Sequence, residues 1–154
     1  MPSQIAGLTR RSAITAGALA AFAGLLGSRF AFADEKAVMA EIKKLYGDKP
    51  MADGKIKLDV PEIAENGLVV PVNVDVESPM TDADYVKAVH IYADGNPQPG
   101  IVSYNFTPAC GKASAATRMR LAQTQNIVCV AEMSNGSLHL AKANVKVTIG
   151  GCGG

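Results

Sequence analysis

The chain has 154 residues, 48% of them hydrophobic, and its 15 basic and 14 acidic side chains leave a formal net charge of +1. That length fits one domain. A balance so near neutral, with no basic stripe, argues against a nucleic-acid partner.

The first residues read as a targeting segment. Arg10 and Arg11 are followed by an apolar run over residues 13–26, and no acid precedes Asp34. Ala31-Phe32-Ala33 offers small residues where a processing peptidase cuts, which places cleavage after Ala33. The apolar run is shorter than the roughly 20 residues a membrane span needs, so no membrane insertion is expected after processing. Thr9-Arg10-Arg11-Ser12 has the look of a twin-arginine signal, the competing reading being an ordinary secretory signal. Residues 1–33 are thus expected to be a removed leader and the mature protein to be periplasmic. Their loss takes three of the 15 basic residues and none of the 14 acidic ones, leaving a net charge of −2.

Residues 34–46 carry the one helical pattern. Val38, Ile42, Leu45 and Tyr46 recur at helical spacing. Acids lie at the start and Lys43 and Lys44 at the end, as the helix dipole prefers. Gly47 supplies a stop. Packing and partner binding are both open roles for this helix.

Beyond Pro50 the period changes to two. Ile56, Leu58 and Val60 mark a first strand. Leu68, Val70, Val72, Val74 and Val76 mark a second, and Pro71 within it predicts an edge position or a bulge. Residues 85–93 form a third strand, Val102, Tyr104 and Phe106 a fourth, and Thr117, Met119 and Leu121 a fifth. Residues 126–133 are apolar on both faces, as a central strand requires. Asn135-Gly136 predicts a hairpin. In the return strand Leu138 and Leu140 are in one phase and Ala143, Val145, Val147 and Ile149 in the other, which predicts a bulge near Lys142. About seven short strands with regular turn signals predict an all-β, immunoglobulin-like antiparallel sandwich over residues 34–149, opened by a short N-terminal helix.

The chain closes on Gly150-Gly151-Cys152-Gly153-Gly154. Four glycines around one thiol predict a thin, mobile arm over residues 150–154, because glycine visits more backbone states than any other residue. No Lys, Arg or His flanks Cys152 to lower its pKa, so the thiol reads as an attachment point that a partner must activate. This argues against an autonomous enzyme. Three cysteines leave one unpaired. Cys110 and Cys129 stand equally as a disulfide and as two free thiols, and Cys152 is the odd one. His90 and His139 lack metal-ligand spacing and read as structural or solvent-facing. Arg118 and Arg120 read as a solvated strand face or as a grip for an anion or a partner's acid. No metal site or cofactor motif stands out.

The terminal Gly150-Gly151-Cys152-Gly153-Gly154, the twin-arginine-like start, and the stretch from Thr117-Arg118-Met119-Arg120-Leu121 through Ala131-Glu132-Met133-Ser134-Asn135-Gly136 together resemble the SoxY family. Its members are the sulfur-carrying subunits of the exported thiosulfate-oxidation (Sox) system. The resemblance spans essentially the whole chain; Cys110 and Cys129 lie outside the family motif. It implies a heterodimer with a SoxZ-like subunit. It also implies thiosulfate-derived sulfur held covalently on Cys152, and service by SoxAX, SoxB and SoxCD-type enzymes, with no cofactor on the carrier. Two other readings are an exported binding or chaperone-like sandwich with an incidental tail, and a ubiquitin-like sulfur carrier that reacts through a terminal Gly-Gly carboxylate.

Overall fold

The computed structural model describes residues 32–150. The Arg10-Arg11 leader, Gly151, Cys152, Gly153 and Gly154 lie outside the described residues. Among the described residues one helix, α1 (Glu35–Tyr46), precedes nine strands: β1 (Met51–Ala52), β2 (Ile56–Asp59), β3 (Ile63–Ala64), β4 (Val70–Val76), β5 (Val86–Ala93), β6 (Gly100–Asn105), β7 (Ala113–Met119), β8 (Gln125–Met133) and β9 (Leu138–Val147). A single 3₁₀ turn, Pro108–Cys110, joins β6 to β7. The larger sheet runs β1-β9-β8-β5-β6, with β3 added to β9, and the smaller runs β2-β4-β7. This is the expected immunoglobulin-like sandwich, with one difference: β1 and β3 each pair with β9 in parallel.

The alternation of β4 explains why the two sheets face each other. Val70, Val72, Val74 and Val76 are all buried, and they meet Ile127, Cys129, Ala131 and Met133 of β8 in one core. Pro71 does not mark an edge or a bulge. β4 is the middle strand of its sheet. Its ladder with β2 ends at Asp59 opposite Asn73, two residues short of Pro71, so no strand lies there to want the missing N–H.

The other face of β8 is apolar because α1 covers it. Val38 and Ile42 of the helix pack with Tyr92, Val128 and Val130, and Tyr46, Met51 and Leu140 close the cluster. The helix is capped as its sequence dictates: the Asp34 carboxylate accepts from the Ala37 N–H at 2.8 Å, and Gly47 ends it at φ +69°. Lys142 of β9 ties its first turn down through Glu35 at 2.9 Å. Leu45 lies outside the packed stripe and is exposed.

The same helix accounts for the phase change in β9. The β8–β9 register runs unbroken from Gln125 opposite Val145 to Glu132 opposite Leu138, so the expected bulge at Lys142 is absent. Leu140 faces outward beneath α1, and Val145 and Val147 face inward toward the smaller sheet. One straight strand changes its apolar face because the sheet's cover changes from helix to opposing sheet. The bulges lie instead in β5, between Val86 and Ala88 and between Ile91 and Tyr92.

Candidate functional site

The last described residues are held firmly at one end of the sandwich. β3 pairs with Lys146 and Val147. Beyond it, Thr148 N–H donates to Ala64 O at 3.1 Å, Thr148 Oγ1 donates to Glu65 O at 2.8 Å, and Gly67 N–H donates to Ile149 O at 2.8 Å. Gly67 O in turn accepts from Leu121 N–H at 2.8 Å. The 63–67 segment thus straps the end of β9 to the loop after β7.

Gly150 meets that loop directly. A Cβ built on it would lie 2.3 Å from the Ala122 carbonyl oxygen, closer than real side-chain carbons come. The sequence grouped Gly150 with the glycines that loosen the arm; its place in the fold is a close backbone approach, which glycine alone allows. The anchored chain therefore extends through residue 150.

Beneath this root sits a buried polar clamp that the sequence did not reveal. Asn96 and Gln125 are the two buried polar side chains among the described residues. Gln125 Nε2 donates to Asn96 Oδ1 at 2.9 Å and to Gln123 O at 3.1 Å, and Gln125 Oε1 accepts from Gly95 N–H at 2.7 Å. Asn96 accepts from Ala122 N–H at 3.0 Å and donates to Arg120 O at 2.8 Å. All four polar atoms are satisfied, as a buried network requires. Next to it Asp94 takes two hydrogen bonds from Asn126, and Thr124 Oγ1 accepts from Val147 N–H at 3.0 Å. The clamp fixes the loop on which Gly150 rests. A polar Gln opening an otherwise apolar strand was its one trace in the sequence.

Around the root large apolar side chains stand exposed among polar ones. Seven large hydrophobic side chains are exposed among the described residues, and four of them, Ile63, Leu68, Val69 and Ile149, lie in or directly after the two segments strapped together there. Val69 is 60% and Ile149 68% exposed. Their concentration at one end distinguishes them from the scattered apolar residues of ordinary surfaces.

The remaining candidates fall elsewhere. Cys110 and Cys129 are both free, so the pairing left open by the sequence is not made. Cys129 points into the core with Ile127 and Ala131, whereas Cys110 sits exposed on the 3₁₀ turn. Burial pushes the Cys129 thiol up to about 12. The Thr107 backbone N–H, helped by its hydroxyl, lowers that of Cys110. His90 Nδ1 lies 2.6 Å from Ser103 Oγ, beside Tyr46 and Tyr92 on the helix-covered face. Burial lowers its pKa, partly offset by Glu132. His139 pairs with Ala131 and keeps its Nδ1 buried without a partner. Among the described residues no three His, Cys, Asp or Glu side chains converge as a metal site would need. Arg118 lies exposed on β7, an edge strand of the smaller sheet, and Arg120 lies exposed just past its end; neither is paired with an acid among the described residues.

These features define a class: a β-sandwich whose last strand is braced at one end of the fold and hands over directly to a cysteine-bearing glycine segment. The model of the sulfur oxidation protein SoxY matches residues 42–152. The chain belongs to the SoxY family. It is 33% identical to the sulfur carrier protein SoxY from Chlorobium limicola f. thiosulfatophilum, with a TM-score of 0.63 over 74% of this chain and 98% of that one. A superoxide reductase (neelaredoxin) from Ignicoccus hospitalis is 18% identical, with a TM-score of 0.55 over 61% of this chain and 80% of that one. The hypothetical protein PH1083 from Pyrococcus horikoshii is 13% identical, with a TM-score of 0.53 over 62% and 96%. These last two share the fold alone. No curated protein sequence matches the chain.

Proposed function

We propose that the protein is a periplasmic sulfur carrier that holds thiosulfate-derived sulfur covalently on Cys152 and presents it to partner enzymes. The observation that carries this reading is the braced root. β9 ends in a strap and clamp, Gly150 is seated on Ala122, and Cys152 follows two residues later in a chain of the SoxY family. A rigid base and a glycine-flanked thiol are the two parts a delivery arm needs, since the base fixes direction and the glycines admit many tip conformations.

The chemistry balances with partners supplying the redox and hydrolytic steps. The Cys152 thiolate and thiosulfate join through a new S–S bond and release two electrons, which a SoxAX-type haem enzyme accepts. The product is a cysteine S-thiosulfonate. A SoxB-type hydrolase then adds water to the terminal sulfur, releasing sulfate and two protons and leaving a persulfide on Cys152. A SoxCD-type dehydrogenase oxidises the remaining sulfane sulfur where it is present. The carrier itself supplies the thiol and the surface, binds no cofactor, and pairs with a SoxZ-like subunit. Residues 1–33 act as the twin-arginine leader, residues 34–149 as the sandwich, and Gly151, Gly153 and Gly154 as the flexible part of the arm.

Intact-mass measurement of the processed protein tests this. Exposure to thiosulfate with the coupling enzyme yields adducts that map to Cys152 and vanish with a thiol reductant, and Cys152→Ser yields none. Adducts that persist in Cys152→Ser would overturn the reading.

A further inference from the structure

We infer that Arg118 and Arg120 form a resting clasp for the anionic sulfur group carried on Cys152. The inference rests on the carrier reading above and adds to it a binding site on the carrier's own body.

The free edges of β6 and β7 face each other across an open cleft of about 600 Å³. Asn96, Gly100 and Val102 line one side; Thr117, Arg118 and Arg120 line the other. No Asp or Glu contributes to its wall. The acids nearest along the smaller sheet are already engaged: Asp75 pairs with Lys112, and Asp59 accepts from Asn73 Nδ2 at 3.2 Å. Arg118 lies opposite Pro71 in the ladder, so it has no cross-strand acid either. Two arginines thus line a cleft to which no carboxylate contributes.

This cleft adjoins the arm's root. Arg120 is two residues from Ala122, on whose carbonyl Gly150 rests, and the Arg120 carbonyl and Ala122 N–H are both held by Asn96. Cys152 follows Gly150 by two residues, about 7 Å of extended chain. The cysteine side chain and a thiosulfonate lengthen that reach, and Arg120, two residues from Ala122, extends its own long side chain from beside the root. A thiosulfonate carries one negative charge over three oxygens, which suits the planar fork of guanidinium donors. The neutral thiol offers the arginines nothing comparable. The clasp therefore engages the loaded arm and releases the empty one.

Tetrathionate provides the test, because it loads a thiol without any partner enzyme. The thiolate attacks one inner sulfur, thiosulfate leaves, and a cysteine S-thiosulfonate remains. The full processed chain is used with Cys110→Ser, so that Cys152 is the accessible thiol, and loading is verified by intact mass. Loading is expected to shift the arginine Nε–Hε signals of Arg118 and Arg120 and the amides of residues 96–102 and 117–120. The shifts reverse in high salt. They are absent when methyl methanethiosulfonate installs a neutral methyl disulfide instead. Arg118→Gln and Arg120→Gln each lower the docked-to-free ratio about two- to fivefold, the range for exposed ion pairs. Verified loading without these shifts, or equal shifts from the neutral adduct, overturns the clasp and leaves the carrier reading standing. Arginine variants that leave the shifts intact but weaken binding of a partner subunit assign the cleft to that partner and also overturn it. A Cys152 that tetrathionate cannot load overturns both readings.

Discussion

Replacing Gly150 by alanine tests whether the arm is anchored where the structure places its root. The new methyl carbon would stand 2.3 Å from the Ala122 carbonyl oxygen, whereas real Cβ contacts stay beyond 3.0 Å. The neighbour is backbone, itself fixed by Asn96 through Ala122 N–H, so no side-chain rotation relieves the overlap. Either the loop and strand move apart, at the roughly 1–3 kcal/mol typical of overpacking, or the end of β9 peels away. Peeling breaks the Gly67–Ile149, Thr148–Ala64 and Thr148–Glu65 hydrogen bonds. Each contributes about 0.5–1.5 kcal/mol, so the two routes cost similar amounts. Hydrogen exchange at the Gly67, Leu121 and Thr148 amides reads both. At about 1.4 kcal/mol per tenfold, Gly150→Ala is expected to speed exchange there by roughly 10- to 100-fold. Gly153→Ala, beyond the anchor, is expected to leave those amides unchanged. Equal protection in wild type and Gly150→Ala would refute the anchored root.

Other perturbations read other parts of the molecule. Under native conditions iodoacetamide is expected to modify Cys110 while sparing Cys129 until the protein unfolds, since one thiol is exposed with a lowered pKa and the other is buried and pushed up to about 12; peptide mapping gives the answer. Gln125→Leu strands the buried Gly95 N–H and removes one of the two hydrogen bonds that Asn96 Oδ1 accepts, costing about 1–3 kcal/mol by denaturant titration. His90 sits below its ordinary 6.5 in the fold, so the unfolded chain binds more protons between the two values and stability falls as pH drops below about 6.5. His90→Gln is expected to flatten that part of the melting-temperature profile. Val69→Asp at the apolar rim is expected to slow a partner enzyme's use of the loaded carrier about tenfold, the equivalent of one lost 1.4 kcal/mol contact, while chemical loading by tetrathionate proceeds unchanged.

Periodicity made the strands legible because one side of each faces a core. Val70, Val72, Val74 and Val76 announce β4, and Asn135-Gly136 announces the hairpin, with Gly136 at φ +81°. Periodicity cannot say what covers a face. Leu140 and Val145 therefore looked like a register slip, when they record a helix on one side of the sheet and strands on the other. Pro71 misled for a related reason: a strand can be central along part of its length and uncovered along the rest. Long-range polar pairing leaves even less trace. Asn96 and Gln125 lie 29 residues apart and meet only once β5 and β8 pair. Gly150 shows the same limit, since an alphabet letter reports permissiveness without saying whether it serves motion or close approach.

On the carrier reading proposed above, the anchored root also sets what a partner must do. With the chain fixed through Gly150, Cys152 has about 7 Å of backbone in which to travel, too little to reach a catalytic centre buried deep beneath a partner's surface. The partner must bring its own surface against this end of the sandwich. Ile63, Leu68, Val69 and Ile149 are the side chains it would then cover. They lie in the segments beside the root, where a short arm forces contact, which gives their exposure a physical cause. The same fold in the superoxide reductases shows that the sandwich alone dictates no chemistry. On the carrier reading proposed above, function combines a braced root, a thiol two residues beyond it in the sequence, and exposed apolar side chains beside the root where other proteins can approach.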